Sequence, residues 1–283
     1  MFLSMMLPVE RDEPFDDDEY VFEPLIGGRR LLLFVRQGKA QLVTSRGIDV
    51  SAQYPELLEV PIESGADAIL DGVVTCVNAQ THALDYESMM ERSWLRKPVS
   101  IMQARVRHPV IYCAFDMLGY RDEDVRGRPL MERKRMLNDV LGENAHYYRV
   151  FHEEGAGISL YRAVESKLDG IVAKRKTSPY VGRRDAAWQS ILHYQYADVE
   201  IAGYRKHTFG WLLQHGNRRI GLLERSVPAA HRKAFLGVSR SIKTGEDSQY
   251  VYVQPCLKAR IRFRMEQCRA GGILSPEFVD FVV

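Results

Sequence analysis

Phe22-Glu23-Pro24-Leu25-Ile26-Gly27-Gly28-Arg29-Arg30 separates two stretches of opposite character. Before it runs the acidic Asp16-Asp17-Asp18-Glu19, and after it the apolar Leu31-Leu32-Leu33-Phe34-Val35. A short continuous apolar run bounded by a turn signal reads as a buried strand. Gln37-Gly38 supplies the turn, and Gln41-Leu42-Val43-Thr44 returns as the hairpin partner. Further out, Ala68-Ile69-Leu70 and Val73-Val74-Thr75-Cys76-Val77 flank Asp71-Gly72, and Val110-Ile111-Tyr112-Cys113-Ala114-Phe115 is another β-rich run. Most of the first 120 residues or so read as strands and turns.

Helices are fewer. Pro129 suits the first turn of a helix over 130–141, with an apolar stripe of Leu130, Leu137, Val140 and Leu141 and a stop at Gly142. Ser159 is placed to cap a helix over 160–168. The whole chain has 283 residues, 46% of them apolar and 27% charged, which suits a globular protein of about two domains. No apolar run reaches the roughly 18 residues that a membrane span needs. The apolar opening Met1–Leu7 lacks a basic flank and meets Glu10-Arg11-Asp12-Glu13, so a secretory signal is not expected. Cys76, Cys113, Cys256 and Cys268 show no C-x-x-C spacing. The expectation is a cytoplasmic protein with reduced thiols, Cys76 and Cys113 being buried, and without a zinc or redox motif. The eight histidines form no H-x-x-x-H spacing or triad pattern, and none is assigned a catalytic role.

The character changes after Trp188. Residues 193–283 carry 14 Lys+Arg against 8 Asp+Glu, a balance of +6, whereas residues 1–192 carry 25 against 29. Short strands are expected over 199–204, 209–214, 219–223 and 251–265, with a helix near 228–236. That content fits a small β-barrel of the OB type, with a boundary near 192–197. Within it, Lys258-Ala259-Arg260-Ile261-Arg262-Phe263-Arg264-Met265 alternates cations with apolar residues. Strand side chains alternate faces, so one face would be entirely basic, its cations about 7 Å apart. Two readings stay open: contacts to a phosphate backbone, or a strand edge protected by charge.

The stretch Glu23–Arg30 resembles the first motif of ATP-dependent DNA ligases, E-x-K-x-D-G-x-R. Further matches follow in the family's order. Arg46 with Tyr54-Pro55-Glu56-Leu57, Leu70-Asp71-Gly72-Val73, Phe115-Asp116-Met117-Leu118 and Arg126-Gly127-Arg128-Pro129-Leu130-Met131-Glu132-Arg133 come first. Asp169-Gly170-Ile171-Val172-Ala173-Lys174, Tyr180-Val181-Gly182-Arg183-Arg184 with Trp188, and Ser275-Pro276-Glu277-Phe278 follow. The resemblance spans nearly the whole chain. It implies an α+β fold: an ATP-grasp-like nucleotidyltransferase domain with antiparallel sheets over residues 1–195, then an OB-fold domain over 196–283.

The departures from this pattern cluster on catalytic positions. The family's lysine, which attacks the α-phosphate of ATP and carries AMP, is replaced by Leu25, and a hydrocarbon is no nucleophile. The motif's Asp is Gly27, a metal-site Glu is Val73, another Glu is the shorter Asp169, and two late lysines are Ser190 and Leu192. The remaining pocket candidates are Glu23, Arg30, Arg46, Phe115, Asp169 and Lys174. By resemblance Glu23 meets an adenine amine, Phe115 stacks on the base, and Arg30, Arg46 and Lys174 face phosphate or ribose. Each keeps a plainer alternative: Phe115 in the core, Glu23 and Arg30 as a structural ion pair, Lys174 on a solvated face or against DNA.

The expected function is a DNA ligase-like protein without catalytic residues or a bound metal. It would grip nicked or duplex DNA in repair or replication through Lys258, Arg260, Arg262 and Arg264; ATP and Mg2+ are implied as cofactors by the resemblance alone. Two alternatives stand beside it. One is a ligase with residual activity, sealing pre-adenylylated nicks or using another nucleophile. The other is a scaffold for an active ligase or another repair protein.

Overall fold

The apolar run 31–35 forms the middle of a strand, Arg29–Arg36, antiparallel to Lys39–Val43. Gln37 and Gly38 turn the hairpin, both at positive φ. In this computed structural model the described residues are 3–63, 65–78, 80–81, 83–165, 167–269 and 271–282. The chain divides into two compact units, Met1–Leu192 and His193–Val283.

The first unit holds two sheets. In one, Lys39–Val43, Arg29–Arg36, Ala68–Cys76, Val110–Tyr120 and Glu123–Asp124 lie side by side in that order, with Tyr147–Arg149 parallel to Val110–Tyr120. In the other, Asp17–Pro24 pairs antiparallel with Gly170–Arg175, which pairs with Arg184–Leu192; Leu7–Glu10 and Glu153–Gly155 are the edges. Asp71-Gly72 is no turn. Ala68–Cys76 runs straight through it, because Gly72 lacks a side chain where the Tyr112 ring packs and Asp71 is bonded inside the protein. Cys76 and Cys113 are buried and free, and burial raises both thiols to about 12, well away from reactive thiolate.

The helix Leu130–Val140 begins directly after Pro129. The second expected helix runs Gly157–Val164 and takes no cap from Ser159; the Ile158 N–H donates to Asp16 Oδ1 at 2.9 Å instead. Part of the expected span, residue 166, lies outside the described residues. Two helices were not expected: Tyr86–Trp94, whose Asp85 cap accepts from the Ser88 N–H, and Pro98–Arg107. The buried face of the first carries Ser88, Met89 and Arg92, so no apolar stripe announces it. Arg92 is sealed inside with Glu56 at 2.9 Å. No helix among the described residues is long and apolar enough to cross a membrane.

The second unit is one curled sheet plus the helix Ala229–Ser239. Its long strand Gln195–Arg205 pairs with Trp211–His215, with Tyr250–Val253 and with Lys258–Phe263. A bridge from Arg225 to Glu277 brings its ends together, as in a small barrel. Trp211, Phe235, Phe278 and Ile261 sit in its core.

Candidate functional site

Pro24 ends its strand in the second sheet, and Arg29 begins one in the first. The link between them carries Leu25, whose N–H donates to Gly170 O at 2.9 Å. Beside it is a cavity of about 110 Å³. Leu25, Val73, Cys113, Val150 and Val172 give it an apolar wall, and Glu23, Arg30, Phe115, Lys174 and Trp188 also line it. Pockets that hold drug-sized ligands run from roughly 300 to 1,000 Å³.

The structure brings four of the six pocket candidates to this cavity: Glu23, Arg30, Phe115 and Lys174. Lys174 is 2% exposed, so it lies neither on a solvated face nor where DNA could reach it. Its Nζ is 2.7 Å from Glu23 Oε2 and 4.2 and 4.1 Å from the ring centres of Phe115 and Trp188. An ammonium over two aromatic faces gains from both ring quadrupoles. Burial nevertheless pulls the lysine down to about 8, with Lys134 adding to the effect and Glu23 opposing it. The other oxygen of Glu23 is held by Lys134 Nζ. Burial alone would raise the Glu23 carboxyl, but the two lysines outweigh it and hold the group below its usual value.

Arg30 does not pair with Glu23. Its Nε and Nη2 reach Asp71 at 3.0 and 2.6 Å, and Asp71 also accepts from the Tyr180 hydroxyl at 2.6 Å. The guanidinium lies 5.2 Å from the Phe115 ring centre. One step further in, Arg133 grips Asp116 at 2.8 and 2.9 Å, both fully buried. Three carboxylates, Glu23, Asp71 and Asp116, thus meet four cations, Arg30, Arg133, Lys134 and Lys174. Lys134 and the roles of Asp71 and Asp116 escaped the sequence reading, although Asp71, Asp116 and Arg133 stand in the quoted motifs.

The remaining candidates lie elsewhere. Asp169 is buried and accepts from the Tyr86 hydroxyl at 3.1 Å. Tyr86 also explains Gly27: a Cβ there would stand 2.1 Å from Tyr86 Cε1, so the ring fills the space where a side chain would begin. Arg46 is exposed in the 44–48 turn and lines a separate polar cleft with Arg36, Gln41 and Thr44.

These residues do not fit ATP with a metal. Glu23 has both oxygens engaged by lysines, and the Lys174 ammonium occupies the space beside the Phe115 and Trp188 rings. Asp169 is met by a tyrosine, Val73 offers hydrocarbon, and no group of three or more metal-binding side chains occurs among the described residues.

In the second unit Lys258 and Arg260 point outward and Ala259 and Ile261 inward, as the alternation requires. The outer face is nonetheless of mixed charge. The strand is no edge; it lies between Gln195–Arg205 and Glu277–Val282, whose acids come alongside. Arg260 is bidentate to Asp198 at 2.7 and 2.9 Å, and Arg262 Nε meets Glu277 at 2.8 Å. Arg264 follows the strand and opens a short 3-10 turn.

Residues 11–190 match the family model for the ATP dependent DNA ligase domain. The chain belongs to the ATP-dependent DNA ligase family. It is 31% identical over 286 residues, spanning all of both proteins, to the SPbeta prophage-derived DNA ligase-like protein LigB of Bacillus subtilis (strain 168). With DNA ligase C of Mycobacterium tuberculosis it shares 28% identity over 203 residues, 67% of this chain and 54% of that one. Two solved structures share its fold. The ligase domain of M. tuberculosis LigD has a TM-score of 0.60 at 21% identity, covering 99% of this chain and 95% of that one. A Lig E DNA ligase has a TM-score of 0.65 at 14% identity, covering 99% of both. The fold is α+β, a nucleotidyltransferase domain followed by an OB-fold.

Proposed function

We propose that this chain is a ligase-fold protein that holds nicked or duplex DNA without charging itself with AMP. The observation that carries the reading is Leu25. It stands at the family's nucleophile position, on the wall of the cavity beside Glu23 and Lys174, and has no lone pair to attack phosphorus. The engaged Glu23 carboxylate, the Tyr86–Asp169 bond and the apolar wall support it.

In this reading residues 1–195 are a degenerate adenylation domain, and residues 196–283 an OB domain that contributes to a DNA surface. Lys258, Arg260, Arg262 and Arg264 belong to that surface, the two central arginines weakened by their acid partners. The protein serves repair or replication beside an active ligase, competing for or marking nicks.

The test is binding of the full chain to a nicked duplex across a salt series. Affinity should fall as salt rises, with a slope of about −0.9 per phosphate neutralised, while the nick stays unsealed with ATP and magnesium. Absence of measurable binding at low salt would refute the DNA reading and favour a protein scaffold.

A further inference from the structure

We propose that the strand Tyr250–Val253 presents a stacking platform for the unpaired bases of single-stranded DNA. Val251 and Val253 are buried, so alternation turns Tyr250 and Tyr252 to the opposite face, where both are half-buried. Their ring centres are 6.4 Å apart with planes inclined by 28°. Both rings are fixed at their outer ends. The Tyr252 hydroxyl donates to Asp247 Oδ2 at 2.6 Å, and the Tyr250 hydroxyl accepts from Arg205 Nε at 3.5 Å.

Two features leave room for a ligand. Tyr252 stands opposite Gly203 on one neighbouring strand and Gly245 on the other, so neither neighbour lays a side chain across it. At Gly245 even an added Cβ would meet nothing within 4 Å. The charge is also suited to a phosphate backbone. Arg205 holds Glu224, and Lys206 and Lys243 share Glu246 at 3.1 and 3.2 Å, so the nearby acids are engaged. Exposed Arg219 makes no ion pair among the described residues; its guanidinium stands over the Tyr252 ring, 5.3 Å from the ring centre, so a base stacking on that face displaces it and leaves it beside the phosphate backbone. Aromatic faces beside a cation that no acid neutralises are the means by which β-barrel domains hold single strands with little sequence preference. Duplex bases are already stacked on one another and offer these rings no face, so the platform selects unpaired DNA.

The experiment is fluorescence anisotropy of the full chain with a labelled oligothymidylate of about 16 nucleotides. A nicked duplex is measured in parallel. Tyr252→Ala should weaken oligothymidylate binding about tenfold. Tyr252→Phe, which keeps the ring, should stay near the wild-type value. Arg219→Ala, an exposed change that spares the fold, should weaken the oligonucleotide several-fold. Duplex binding should change less than twofold in all three. Failure of the wild-type chain to bind oligothymidylate at low salt overturns the proposal, as does equal binding by wild type, Tyr252→Ala and Arg219→Ala. Parallel losses on both ligands overturn it too. Loss of duplex binding in the wild type bears on the earlier reading alone.

Discussion

Gly27 and Tyr86 are a matched pair, and they set what a repair of the nucleophile would require. Leu25→Lys alone should give no ligation, since Val73 and Ser190 would still leave transition-state charge unsupported and such groups fail as a unit. Restoring the motif's acid is obstructed as well, because a side chain at Gly27 collides with the Tyr86 ring. Gly27→Asp should cost about 1–3 kcal/mol in urea denaturation, and clearly less in a Tyr86→Ala background. Equal costs in both backgrounds would show that the ring yields freely. Lys174 gives a pH signature. Its folded value lies near 8, against an ordinary 10.5 that the unfolded chain retains. Between these values the unfolded state binds more protons, so stability rises with pH there and is flat below. Relative to Lys174→Met, the wild type should gain stability from about pH 8 to pH 10.5; a flat difference would place the lysine in water. The sequence made Lys174 look like a surface residue because Arg175 and Lys176 follow it. Gly170–Lys174 is buried on both faces, so alternation carries no information there.

At the scale of elements, the hairpin from Arg29 to Val43 was legible because its apolar run and Gln37-Gly38 turn agree. The helix Tyr86–Trp94 was not, because its inward face carries Arg92, a charge made tolerable by Glu56, thirty-six positions earlier, and by the Gln53 carbonyl. Arg92→Ala should therefore cost about 3–5 kcal/mol, leaving a buried carboxylate alone. A cost under about 1 kcal/mol would mean that water reaches the pair. The strand Lys258–Phe263 teaches a related lesson. Its own alternation is visible in sequence, but the acids beside it arrive from strands about 60 residues before and 15 after it. Asp198→Asn should release Arg260 and steepen the salt dependence of duplex binding by up to about one unit. An unchanged slope would take that strand off the DNA surface.

For the whole molecule, ordered motifs made the ligase family legible, and the match over residues 11–190 agrees with them. What the motifs could not convey is which partners their residues take inside the fold. In the reading proposed above, Lys174 against two rings, Glu23 between two lysines and Tyr86 over Gly27 leave a self-paired lining where the family's nucleotide would sit. The most direct measurement of that claim is incubation of the purified chain with α-labelled ATP and magnesium or manganese, followed by denaturation. The account predicts no label on the protein. A labelled band that survives denaturation would contradict it, and mapping the modified residue would name the nucleophile that replaced the lysine.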